Sequence, residues 1–219
     1  MLERALQIGA KAQVRETAAQ LLLQWDLTYP DAVDVKGIYN SFFAAAPPVG
    51  PEAMPGTYYV TLTYGGQTTP RQPLVVKLDP TLQTTEAELQ QRFDLLMRIH
   101  GALNRLDSNL NQAIDARSAL EKAVADKSMT ADRAKPALDR LNPDIDGLVD
   151  LKIQSSEGAL VYPGRLRAWL TSIAGQVSMA LVPPTPAMVE VADGYIEDAA
   201  AGVSRLQPDV AAADRVLNH

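Results

Sequence analysis

The sequence predicts an α+β chain: a small antiparallel β-sandwich-like unit, then an antiparallel helical bundle, with a helix at the N-terminus. Three observations carry this. Eight of the fifteen prolines fall between Pro30 and Pro80, and the other seven are spread over residues 81–219. Valine, threonine and tyrosine crowd into 57–64, whereas alanine and leucine dominate after 84. Apolar spacing switches from two residues to three and four at the same point, which separates a strand-forming region from a helical one. The expected units are 1–22, an N-terminal helix; 23–80, the β-sandwich-like unit; and 81–219, the helical bundle.

Taken in order, Leu6, Ala10, Val14, Ala18, Leu21 and Trp25 make a helical stripe, and alanine and glutamine suit it. This predicts a helix over residues 2–22. A strand is expected at Leu23–Tyr29, stopped by Pro30. Residues 44–56 form a proline-rich loop. Thr57–Tyr64 alternates: Tyr58, Val60, Leu62 and Tyr64 share one face, and Thr57, Tyr59, Thr61 and Thr63 the other. That is the pattern of a half-buried strand. Gly65-Gly66 supplies a turn needing positive φ, and Pro73–Leu78 returns as the second strand of a hairpin. Pro70 and Pro73 lack an N–H, so the return strand starts at an edge or a bulge.

Thr85-Glu86-Ala87-Glu88 is a capping box. Leu89, Phe93, Leu96, His100, Leu103, Leu110, Ile114 and Leu120 then recur on one stripe. A helix of about 40 residues running to Asp126 fits, far longer than the usual ~11. It must bury that stripe against other long elements. Thr130 caps a second helix, expected to kink or break at Pro136 and Pro143. A third is expected from Pro163 to Leu181 and a fourth from near Thr185 past Leu206, kinked or ended by Pro208. The short connections between them predict up-down antiparallel packing.

Composition excludes more chemistry than it suggests. There are 20 basic and 26 acidic residues, a net charge of -6. A nucleic-acid partner requires a basic face and is not expected. The absence of cysteine removes disulfides, thiolate metal sites and cysteine nucleophiles. His100 and His219 are the two imidazoles, too few for a zinc site or a histidine-dependent triad. No apolar run reaches the ~18 residues of a membrane span. Glu3, Lys11, Arg15 and Glu16 stand where a signal peptide would carry an apolar run, so no such leader is expected.

Several short series follow one another: Trp25-Asp26-Leu27-x-Tyr29-Pro30-Asp31-Ala32, Pro55-Gly56-Thr57-Tyr58, Gly65-Gly66-Gln67, Gln72-Pro73-Leu74-x-Val76 and Lys77-x-Asp79-Pro80. Together with Leu160-Val161-Tyr162-Pro163 and the Thr185–Leu206 helix, this order resembles the region after the β-propeller in large secreted bacterial proteins with sortilin-like or BNR-type repeats. Those proteins are often labelled glycosyl hydrolases. The resemblance covers roughly residues 24–219. It implies an immunoglobulin- or fibronectin-like sandwich followed by a helical bundle, and a secreted or periplasmic setting. The propeller, where a catalytic or ligand site would lie, has no counterpart in these residues. The resemblance therefore implies an accessory region.

Four groups were candidate sites. His100 could act as a base or ligand, but a helix-face histidine with a hydrogen bond explains it. Asn142-Pro143-Asp144-Ile145-Asp146-Gly147 is like the start of a calcium loop, yet Ile153 stands where the bidentate glutamate belongs. Asp193, Glu197 and Asp198 lie on neighbouring helical turns and read as a solvated acidic face. Trp25, Tyr29, Tyr39, Phe42, Phe43, Tyr58, Tyr59 and Tyr64 could stack on a sugar, although hairpin and core packing accounts for most of them. No catalytic, cofactor-binding or metal-ligating residue is assigned. The favoured function is a non-catalytic structural or protein-interaction module, with a homodimer favoured over a monomer. The alternatives are a carbohydrate-binding accessory domain and an engineered self-assembling scaffold.

Overall fold

The computed structural model describes residues 15–17, 20–22, 25–39, 49–64, 66–155 and 157–218. The chain is α+β, and helix dominates it. The elements are strands β1 (Arg15–Thr17), β2 (Gln20–Leu22), β3 (Gly56–Val60), β4 (Thr63–Tyr64), β5 (Gln67–Thr68) and β6 (Gln72–Val76). Helices α1 (Glu86–Ala125), α2 (Ala131–Leu148), the short α3 (Gly158–Val161), α4 (Leu166–Ser178) and α5 (Pro186–Leu217) follow.

α1 begins and ends where the sequence places it. Glu88 N donates to Thr85 Oγ1 at 3.3 Å, and Thr85 N donates back to Glu88 Oε2 at 2.8 Å, closing the capping box. Leu89, Phe93, Leu96, Leu103, Leu110, Ile114 and Leu120 are all buried. At its far end Asp126 caps, and Lys127 adopts φ 63, the left-handed turn that terminates many helices. α1 packs on α2, α4 and α5, and α5 packs on α1, α2 and α4. One apolar core joins them through Ile99, Leu106, Leu141, Ile145, Leu170 and Leu206.

The break expected at Pro136 or Pro143, and the end expected at Pro208, do not occur. α2 continues through Pro136 and Pro143, and α5 continues through Pro208. Each proline forfeits one backbone hydrogen bond. The buried faces outweigh that loss: Ala134, Leu141 and Ile145 on α2, and Leu206 and Ala213 on α5, are 0 % exposed. The third helix is also shorter than expected, spanning Leu166–Ser178.

The β region departs further. The helix expected over 2–22 is replaced at its described residues by a hairpin, with Arg15 opposite Leu22 and Thr17 opposite Gln20. The two-residue connection suits a hairpin, and a Leu21-Leu22-Leu23 run fits a strand as readily as a helix. The remainder of that expected helix lies outside the described residues, as do residues 44–48 of the proline-rich loop.

The strand expected at 23–29 is reduced, over its described residues, to one bridge between Thr28 and Glu52. Asp26 Oδ1 accepts from Thr28 N at 3.1 Å and Thr28 Oγ1 at 2.7 Å, and Leu27 takes φ 62. This side-chain-driven turn bends the chain before a ladder can extend.

The hairpin around Gly66 forms in two stages. β4 pairs with β5 at the tip and β3 with β6 below, with Tyr58 opposite Leu74. Between the stages Leu62 N donates to Thr69 Oγ1, and Thr69 N to the Leu62 carbonyl. Among the described residues each sheet has two strands. Among the described side chains of the expected half-buried face, Tyr58 alone is buried; it is 4 % exposed and meets Trp25 edge-on at 5.6 Å. Val60 and Leu62 are exposed, and among the described residues no helix packs against β3 or β6.

Candidate functional site: a strap bound along helix α1

Five polar residues on α1, His100, Asn104, Asp107, Asn111 and Asp115, recur at steps of four, three, four and four. That spacing puts them on one face. The extended segment Pro30–Lys36 lies along it. His100 Nε2 meets the Pro30 carbonyl at 3.0 Å. Val33 N donates to Asn104 Oδ1 at 3.0 Å, and Lys36 N to Asn111 Oδ1 at 2.8 Å. Asn111 Nδ2 donates to the Asp34 carbonyl at 2.9 Å, and Lys36 Nζ pairs with Asp115 at 2.6 Å. Ala32 and Val35 turn inward and join the main core. Backbone groups of the strap are thus satisfied by side chains of one helix.

The middle of the strap is held by buried charge. Arg167 on α4 and Asp107 are both 0 % exposed. Arg167 Nε donates to Asp107 Oδ2 at 2.9 Å, and its Nη2 donates to Asp34 Oδ1 at 2.6 Å. Burial pushes the Asp107 carboxyl up to about 6; the charge and hydrogen bond of Arg167 oppose the rise, and Asp34 adds to it. A second buried arginine works differently. Arg92 Nε donates to the Val177 carbonyl at 3.1 Å and its Nη2 to the Ser178 carbonyl at 3.0 Å, so it caps the C-terminal end of α4. Its Nη2 also pairs with Glu52 at 3.2 Å.

Between Thr28, residues 49–52 and helices α1 and α4 lies a cleft of about 300 Å³, lined by Glu52, His100, Leu96, Leu103, Thr171 and Ser178 among others. Its volume is at the lower end of ligand pockets. The polar groups around it are already engaged: His100 with Pro30, Glu52 with Arg92, and Thr171 Oγ1 with the Ala168 carbonyl.

The other candidates are scattered. Asn142–Gly147 forms helical turns of α2 rather than a loop, and Asp144 accepts from Arg205 Nε at 3.3 Å. Asp193 pairs with Arg98, and Glu197 and Asp198 are exposed on α5. Among the described residues no three His, Asp or Glu side chains converge as a metal site would require. Trp25 and Tyr58 stand at 68°, and Tyr29 and Phe93 at 53°, angles unlike a flat stacking platform. Phe42 and Phe43 lie outside the described residues. No described helix is long and apolar enough to cross a membrane.

Arg92, Arg167 and the polar stripe escaped the sequence reading, which put His100 on the apolar stripe. The available signal was the stripe's own periodicity, offset from the leucines.

Comparison of the chain with protein-family models, with curated proteins and with solved structures gives no match.

Proposed function

We propose that the chain is a non-catalytic structural and protein-interaction module that self-associates through its β3–β6 ribbon. The observation that carries this reading is the ribbon's exposed apolar surface. Tyr59, Val60, Leu62, Leu74 and Val75 are each at least 38 % exposed, and Val75 reaches 57 %. Isolated two-stranded ribbons are marginal in water, and exposed apolar sheet surface invites pairing with another chain. A second copy supplies the cover with the fewest assumptions, and a two-fold arrangement would stack the two ribbons face to face. On this reading the paired ribbons complete the sandwich-like unit, and the four long helices act as an antiparallel bundle that carries it.

The non-catalytic half of the proposal rests on how the reactive groups are used. The buried carboxylate, the mid-helix histidine and both buried arginines hold the strap or cap a helix. As the resemblance implies, such a module would be an accessory region of a propeller-type protein. Hydrogen exchange across a range of protein concentrations tests the association. The amides of residues 56–60 and 72–76 are expected to gain protection as concentration rises, while those of α1 do not change. Protection of the ribbon that is independent of concentration would overturn the proposal.

A further inference from the structure

The buried charges at the middle of the strap do not balance. Asp107 on α1 and Arg167 on α4 are fully buried, and Asp34 on the strap shares the same guanidinium. Two carboxylates therefore face one cation where charge is costly to hold. Asp107 Oδ1 is also buried without a hydrogen-bond partner among the described residues, which penalises the ionised form further. A single proton on Asp107 removes the excess charge and leaves Arg167 to Asp34.

The two carboxylates differ in how they are carried. Asp107 is fixed in the middle of a 40-residue helix. Asp34 is 44 % exposed, on a segment that belongs to no helix or strand. That segment is anchored beyond both its ends, where Tyr29 N donates to the Pro51 carbonyl at 2.8 Å and Gln154 Nε2 to the Gly37 carbonyl at 3.1 Å. Between the anchors its polar contacts to α1 come from Asn104, Asn111 and Asp115, and Ala32 and Val35 seat it on the core. An extended, largely exposed segment of this kind opens locally at a lower free energy than the helices beneath it.

We propose that the strap Pro30–Lys36 is a pH-sensitive latch, which closes on α1 more tightly when Asp107 is protonated and lifts more readily when Asp107 is ionised. The coupling is reciprocal. The docked strap brings a second carboxylate to Arg167 and covers Asp107 between Asn104 and Asn111, and both effects favour the proton. With the strap lifted, Asp107 no longer shares Arg167 with Asp34 and meets water, and both effects favour the charge. The charged groups that act on Asp107 are Arg167 from α4 and Asp34 from the strap; among the described residues none comes from α2 or α5, the other helices packed on α1. Lys36 is paired with Asp115. Asp107 holds its proton more readily in the docked state, so the extra docking is present in acid and is lost as the pH rises through about 6.

Hydrogen exchange of the full chain tests the latch through the Val33 and Lys36 amides, which donate to Asn104 and Asn111. Corrected for intrinsic rates, their protection is expected to rise about three- to tenfold from pH 7.5 to pH 5. It should stay below that of Leu106 and Leu110 in the α1 core at both pH values, because the strap opens on its own. Asp107→Asn is expected to hold the strap at its acid level of protection at both pH values. Asp34→Asn, at an exposed position, is expected to diminish the pH dependence. Histidine also changes charge in this range, and His100 meets the strap at the Pro30 carbonyl. His100→Gln is expected to keep the pH dependence. The proposal would be overturned by strap protection that does not change with pH, by a pH dependence that survives Asp107→Asn, is undiminished in Asp34→Asn or disappears in His100→Gln, or by exchange of the strap only together with the α1 core.

Discussion

Replacing Asp107 by asparagine should make the protein more stable at neutral pH. The carboxyl is fully buried, and desolvation outweighs its attraction to Arg167, raising it from 3.8 to about 6. That difference corresponds to about 3 kcal/mol of preference for the neutral form in the folded state. The folded carboxyl is harder to ionise than the unfolded one. Between the two values the native state therefore holds a proton that the unfolded chain lacks, and stability rises as pH falls. The cost is fully present above about pH 7, and roughly half of it is relieved by pH 5. Asparagine keeps an oxygen for Arg167 Nε and has no charge to desolvate, while Arg167 retains Asp34. Urea unfolding of Asp107→Asn and the parent at pH 7.5 and pH 5 reads this directly. The variant is expected to lead by up to about 3 kcal/mol at pH 7.5, and the gap should shrink by about half at pH 5. Asp209 is also raised, by burial and then by Asp144, but it is common to both proteins and cancels in the difference. Asp79, Glu88 and Asp126 are held below their ordinary values by hydrogen bonds from Thr81, Thr85 and Ser128, so their stabilisation fades only at lower pH. A variant several kcal/mol less stable than the parent at pH 7.5, with a gap independent of pH, would refute the reasoning. The ion pair would then be a net source of stability.

Arg92→Met leaves the Val177 and Ser178 carbonyls at the C-terminal end of α4 without their charged donor, and should cost about 1–3 kcal/mol in urea unfolding. Glu52→Gln, by contrast, should cost under about 1 kcal/mol, because Glu52 is 58 % exposed. Gly50→Ala should destabilise by at least about 2 kcal/mol, read as a fall in Tm. Its Cβ would stand 1.9 Å from the Tyr29 carbonyl oxygen, in a crossing closed by Tyr29 N to the Pro51 carbonyl and Ala53 N to the Leu27 carbonyl.

The helices were more legible than the strands. Thr85, Glu88 and the leucine stripe define α1 because capping and periodicity are local and agree with the burial. Prolines 136, 143 and 208 do not end their helices, since their cost is local while the packing that overrides it comes from other helices. In the ribbon, alternation correctly marked Thr57–Val60 as strand-forming, but alternation cannot say how far a covering element extends, and here it stops at Tyr58. The Asp26 turn overrode a strand that composition favoured. The strap was illegible for the same reason as Arg167: its partners lie 60 or more residues away, as in the pairing of Asp107 with Arg167 and of Val33 with Asn104. Spacing reveals that a polar stripe exists on α1; only the fold shows what lies on it.

Self-association through the ribbon is tested most directly by the mass of the chain in solution. The mass of one chain is 23.6 kDa. Light scattering behind size exclusion should give twice that value for the parent, falling to the single-chain mass for Val60→Lys/Val75→Lys, whose lysines sit on exposed ribbon positions and leave the core untouched. A parent that remains at the single-chain mass across the accessible concentration range, or a dimer that the two lysines do not dissociate, would contradict the account.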